Sequence, residues 1–203
     1  ATTIQRLQVQ KRKQSGQGLS VLELGSGNGF LSVCLMALAR DYPFANLVVT
    51  DAEDHLAMIR QTLAANSHIA QADNEKDQVP IHVLEHLWGE FSSPTMSADT
   101  NATPDSMSFP DRVKQGKHQF DLIIGSDVAY RRELYEPLIA SSQQYCHAQT
   151  VCLIGTTMND TTPSFFRLLT KAGFVYERFA DHLLHPEFRG KTFGVFVIRK
   201  KEQ

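Results

Sequence analysis

Cysteine is scarce in this chain of 203 residues: Cys34, Cys146 and Cys152 form an odd set without C-x-x-C spacing. That excludes a disulfide framework and a Cys-based structural zinc site. It suits a reducing compartment, cytoplasmic or nuclear. No apolar run approaches the roughly 20 residues that cross a bilayer, and no secretory leader pattern opens the chain. A membrane partner is therefore not expected, and the sequons at Asn101 and Asn159 are expected to stand idle. Charge of one sign is also lacking. The formal net charge is -2 and the isoelectric point about 6.5, so no general basic field recommends a nucleic-acid partner. Tryptophan occurs once, at position 88, and neither a G-x-S-x-G elbow nor a P-loop is present.

What remains is 42% hydrophobic and 21% charged, enough for one domain with a sizeable core and short for two. No repeat divides it, and a monomer is expected. Residues 1–18 are polar and basic around a weak pattern of Ile4, Leu7 and Val9, and read as a truncated helix and linker. Residues 19–203 read as the domain. Apolar runs at Leu19–Leu24, Leu47–Asp51, Ile81–Leu87, Phe120–Gly125, Val151–Gly155, Phe174–Phe179 and Phe193–Ile198 predict strands. Helical spacing appears between them: Leu31, Leu35 and Leu38 up to Arg40, with Pro43 beyond the stop; Leu56, Ile59 and Leu63 up to Asn66; and Leu134, Leu138 and Ile139. Pro163 opens a further helix, and Gly173 follows its end at Ala172. Strand-helix alternation predicts an α/β fold, doubly wound and mostly parallel, with helices on both faces. The stretch 92–118 is polar and without a period, and reads as a long insertion outside the function.

The chain is organised around Val21-Leu22-Glu23-Leu24-Gly25-Ser26-Gly27-Asn28-Gly29-Phe30. A buried strand ending in glycines lets backbone approach a ligand, and the following helix presents its first N–H groups there. The dinucleotide pattern G-x-G-x-x-G/A fails in both registers, at Phe30 and at Ser32. An NAD-dependent oxidoreductase is thereby disfavoured. In a sheet of this kind ligands gather beyond the carboxyl ends of the strands. Asp51, about 20 residues past the glycines, suits both ribose hydroxyls; its plainer reading is a helix cap. Trp88 can lie against an adenine or simply in the core. Ser126-Asp127 and Tyr130 follow the fourth buried run. Arg131 and Arg132 read as a solvated helix start, or as a greeting for an acidic substrate. His82-Val83-Leu84-Glu85-His86 matches the H-x-x-E-H zinc signature. Yet it falls in a strand, where residues four apart stand about 13 Å from each other and cannot share one ion, so no metal is expected.

The glycine segment E-x-G-x-G-x-G, from Glu23 to Gly29, resembles the first motif of S-adenosylmethionine-dependent methyltransferases. Together with Val49-Thr50-Asp51, Trp88-Gly89 and Asp127-Val128-Ala129-Tyr130, a D-x-x-Y match, it is similar to the seven-stranded methyltransferases of methyltransferase family 16. Phe165-Phe166, Gly173-Phe174 and Glu177 extend the likeness. The resemblance implies a Rossmann-like seven-stranded sheet, S-adenosyl-L-methionine as cofactor with S-adenosyl-L-homocysteine as product, and a lysine of a particular protein as acceptor. It implies that Glu23, Gly25, Ser26, Gly27, Asn28, Gly29, Asp51, Trp88 and Ser126 line the cofactor, and that Asp127 and Tyr130 border the amine. Relatives carry an upstream Trp segment that helps cover the cofactor, whereas residues 1–18 contain no Trp. The loop His182–Lys191 is expected at the same sheet edge if the strand before it is parallel, and is a candidate for substrate selection. Two other readings stay open: a small-molecule or other N-methyltransferase, and a binding module without turnover.

Overall fold

Among the described residues, aliphatic and β-branched runs bounded by Gly, Asp or Pro form seven strands. They are β1 (Leu19–Leu24), β2 (Phe44–Asp51), β3 (Ile81–Glu85), β4 (Phe120–Ser126), β5 (Cys146–Thr157), β6 (Phe174–Arg178) and β7 (Phe193–Lys200). Among the described residues five α-helices alternate with them: α1 (Phe30–Asp41), α2 (Glu53–Ala65), α3 (Phe109–Lys114), α4 (Tyr135–Tyr145) and α5 (Pro163–Lys171). This computed structural model describes residues 18–42, 44–69, 79–91 and 107–201. The expectations for Ile4, Leu7 and Val9, for Pro43 and for Asn101 lie outside them.

The sheet order is β3-β2-β1-β4-β5-β7-β6. Strands β1 to β5 pair in parallel. Strand β7 is antiparallel to both β5 and β6, so β6 ends on the same edge as β1 to β5. Between β1 and β4 the order reverses direction, and a crevice opens at their carboxyl ends. Strand parity decides what each face buries. Leu22, Leu24 and Val48 join the core with Tyr135, Leu138 and Phe165. Leu19, Val21, Leu47 and Val49 join the opposite core with Leu35, Ile59 and Leu63. Glu23 shares the parity of Val21, and that sends its carboxylate toward α1. In α1 the buried stripe is Ser32, Leu35 and Met36, because the helix is rotated so that Leu31 and Leu38 lie at its margins.

Three expectations are corrected. The last part of the insertion is not a loop: Ser108 caps α3 by accepting the Asp111 N–H at 3.3 Å. Val113 is buried, and the Phe109 ring lies 4.9 Å from that of His82. Six residues are too few to display a period, so the helix is marked in sequence only by its Ser108 cap and by Pro110 in its first turn. Strand β5 begins at Cys146 rather than Val151; its polar start pairs with Phe120 through a register shift. That shift brings the Cys146 and Cys152 thiols to 3.4 Å. Leu134 belongs to a 3₁₀ turn, Arg132–Leu134, that precedes α4.

Candidate active site

The glycine turn hangs on the end of β2. The Thr50 carbonyl accepts the Gly25 N–H at 3.0 Å and the Ser26 N–H at 3.1 Å, and the Thr50 hydroxyl donates to the Glu23 carbonyl at 2.7 Å. Gly25 and Gly27 both have left-handed backbone, with φ of 68° and 61°, a region costly for a residue with a Cβ. They differ in what surrounds them. A Cβ at Gly25 would stand 2.8 Å from Trp88 Cζ2 and 3.0 Å from Val128 Cγ1, whereas the space at Gly27 is open to 4 Å. Gly27 is thus open on the side where a Cβ would stand.

Beneath the turn, Glu23 is 1% exposed and accepts the Ser32 hydroxyl at Oε2. Burial raises its pKa, against the hydrogen bonds from Ser32 and Ser26. The Ser26 hydroxyl is buried in the same polar knot, 3.4 Å from that of Ser32. Glu23 and Ser26 therefore brace the turn from below through their side chains. Asn28 is exposed, and its Oδ1 accepts the Phe30 N–H at 3.1 Å, using one of the free donors at the start of α1. Gly29 is the residue before that helix.

Asp51 closes β2 on the open side of the turn. Its Oδ2 accepts the Gly27 N–H at 2.7 Å and its Oδ1 the Ala52 N–H at 2.8 Å. His55 Nδ1 stands 3.1 Å from Oδ1 without hydrogen-bond alignment. A carboxylate has about four lone-pair sites, so each oxygen keeps one for a further donor. A vicinal diol matches that capacity. Trp88, half-buried in the turn after β3, lies directly on Gly25.

Asp127 is the one residue other than glycine with positive φ among the described residues, at 56°. Such backbone costs of order 1 kcal/mol or more and persists where neighbours impose it. Here its N–H bonds to the Gly155 carbonyl at 2.8 Å, and the Thr157 hydroxyl donates to its Oδ1 at 3.2 Å. Val128 and Ala129 are buried, Val128 against Gly25 and Gly125. Tyr130 emerges half-exposed, at 50%. Ser126 is exposed beside Gly155. Arg131 pairs with Glu133 at 2.5 Å on the exposed turn before α4.

Because β6 runs parallel to β5, the β6–β7 connection reaches the same edge. Arg189 ties this loop together by donating to the Leu184 and His182 carbonyls at 2.9 and 3.1 Å. Phe188 is half-exposed and lies 6.1 Å from the Phe193 ring. Phe193 in turn covers Gly155, whose carbonyl holds Asp127. Of the H-x-x-E-H match, His82–Glu85 lie in β3 and His86 follows its end, which falls two residues short of the expected strand end at Leu87. His82 packs on Phe109, and His86 is buried with Nε2 2.8 Å from the Ser141 hydroxyl. Among the described residues no three His, Cys, Asp or Glu side chains are grouped to hold an ion. No helix among them is long and apolar enough to cross a membrane.

The residues that sequence reasoning missed are supports: Ser32, Thr50, Thr157 and Thr161. Their signal is small polar residues inside apolar runs or just past them, a pattern with many plainer causes. What the sequence singled out and the structure brings together is the turn Gly25–Gly29, Asp51, Trp88 and the Asp127–Tyr130 segment.

A seven-stranded sheet of this order, with an acidic strand end beside a glycine turn at the switch point, defines a Rossmann-like class I methyltransferase fold. Solved structures that share it include a TehB-like SAM-dependent methyltransferase from Corynebacterium glutamicum. That protein is 16% identical, with a TM-score of 0.56 over 96% of this chain and 87% of that one. Another is a DhpI complex with S-adenosylhomocysteine, 12% identical, with a TM-score of 0.55 over 100% of this chain and 86% of that one. At such identities the likeness is one of fold alone. Within this class the chain belongs to the lysine methyltransferase family, whose model matches residues 2–172. Similar curated proteins include EEF1A lysine methyltransferase 3 of Xenopus tropicalis, 24% identical over 83% of this chain. Protein N-lysine methyltransferase METTL21A of Danio rerio is 28% identical over 68% of it. The chain spans 61% and 49% of the lengths of those two relatives.

Proposed function

We propose that the protein carrying this chain is an S-adenosyl-L-methionine-dependent methyltransferase acting on a lysine side chain of a protein substrate. The observation that carries this reading is the convergence at Gly25. Trp88 from the turn after β3 and Val128 from the D-x-x-Y segment both touch that residue, and its turn reaches Asp51 through Gly27. The turn and Asp51 fit a nucleoside: the open Cα side of Gly27 for the amino-acid part, two free lone pairs at Asp51 for the ribose hydroxyls. Glu23, Ser26, Asn28 and Gly29 shape that turn, Trp88 lies on it, and Ser126 closes the neighbouring strand β4.

When bound, the sulfonium supplies an electrophilic methyl carbon. The rest of the task falls to the chain, because a lysine with a pKa of about 10.4 is mostly protonated at neutral pH. A neutral amine must be presented in line, and its proton must leave before attack. Tyr130 is assigned to orienting the amine with its ring and hydroxyl. Asp127 is assigned to holding an ammonium in place rather than removing its proton, since a carboxylate beside an amine favours the charged, unreactive form. His185 and Phe188, on the loop linked to Asp127 through Phe193 and Gly155, are assigned to choosing the substrate.

The test is transfer of labelled methyl from the cofactor to a protein extract, using the full-length protein. Label in methyllysine after hydrolysis is the expected result. Label confined to small molecules, or none at all, would overturn the reading. Substituting His185 or Phe188 is expected to change which proteins carry the label.

A further inference from the structure

We propose that Thr161 is a positioning residue that aims Tyr130 at the acceptor site. The inference rests on the methyltransferase reading for its purpose, but its geometry stands apart from it. The segment Asp127–Tyr130 has no helix or strand of its own, so its direction must be set by neighbours. Its backbone anchors come from the end of β5 and the turn after it. Gly155 takes the Asp127 N–H, and the Thr161 hydroxyl donates to the Ala129 carbonyl at 2.7 Å. Both partners of the second bond are enclosed, Thr161 4% and Ala129 1% exposed. The donor is itself fixed: the Thr161 N–H bonds to the Thr157 carbonyl at 3.0 Å, and the next residue's N–H to the Tyr135 hydroxyl at 3.0 Å.

The lever is the planarity of the peptide. The Ala129 carbonyl and the Tyr130 nitrogen and Cα belong to one rigid unit, so holding the oxygen holds the base from which the Tyr130 side chain extends. A tyrosine hydroxyl stands about 6.5 Å from its Cα, so a tilt of about 10° moves it by about 1 Å. Misplacement on that scale costs up to about a hundredfold in rate. Thr161 also completes the Asn159 sequon, and its hydroxyl is spent on Ala129.

The test compares Thr161→Val, which keeps the shape and removes the donor, with Thr161→Ser, which keeps the donor. Amide order parameters at Tyr130 and Arg131 are expected to fall in Thr161→Val from about 0.85 toward 0.6 or below, and to return in Thr161→Ser. Turnover on the labelled protein acceptor is expected to show kcat about tenfold lower in Thr161→Val, with KM for the cofactor unchanged, and recovery in Thr161→Ser. If Thr161→Val does not fold, Thr161→Ala takes its place in the comparison. Wild-type order parameters and kcat in the variant lacking the donor, or no recovery with serine, would overturn the proposal. A wild-type protein that transfers no methyl group would refute the function above, while the order parameters would still decide whether Thr161 holds the segment.

Discussion

Replacing Gly25 and Gly27 by alanine, one at a time, separates backbone strain from contact at the glycine turn. Both residues sit at φ near +65°, so each substitution places an L-residue in left-handed backbone at a cost of about 1 kcal/mol. At Gly27 nothing else is met within 4 Å. The expected loss is that strain alone, or about 2–4 °C in Tm for a chain of this size. At Gly25 the new methyl would lie 2.8 Å from Trp88 Cζ2 and 3.0 Å from Val128 Cγ1, closer than side chains pack, so one of them must shift. Overpacking of that kind adds about 1–3 kcal/mol, for a total of about 2–4 kcal/mol. The assay is urea unfolding followed by fluorescence, which reports on Trp88 because it is the only tryptophan in the sequence. Gly25→Ala is expected to lose at least about 1 kcal/mol more than Gly27→Ala, and to shift the native emission as the ring is displaced. Equal losses with unchanged emission would refute the contact between Trp88 and the turn, and with it the convergence on which the functional reading depends.

Asp51→Ala is expected to weaken S-adenosylhomocysteine binding at least tenfold by calorimetry, since charged hydrogen bonds contribute roughly 1.5–3 kcal/mol. Unchanged affinity would remove Asp51 from the site. Tyr130→Phe should lower kcat while leaving calorimetric cofactor affinity intact, and unchanged turnover would remove its hydroxyl from the reaction. His86 gives the protein an acid-sensitive point, because burial lowers its pKa from 6.5 to about 4. Between those values the unfolded chain binds a proton that the folded one excludes. Stability is therefore full above about pH 6.5 and is lost as pH falls toward 4, by about 2 kcal/mol between pH 7 and 5. In His86→Gln that share of the pH dependence is expected to vanish, and an unaltered slope in denaturant unfolding would assign it to other groups.

The periodicity of the sequence determined the order and nature of nearly every strand and helix, because runs that must be buried on both faces of a sheet leave a local trace. Three alternating glycines and an acidic residue closing the next strand likewise announced the turn and Asp51, since backbone conformation and strand ends are properties of short segments. The short helix α3 escaped because six residues carry too little pattern, and β5 was longer than its apolar part because its polar start pairs across a register shift. Only the tertiary structure decided that Glu23 faces downward to Ser32, that Trp88 lies on Gly25, and that Thr50, Thr157 and Thr161 hold the segments around them. Each of those contacts joins different segments of the chain. Their existence depends on strand register and on the direction of a side chain, which no single stretch of sequence encodes.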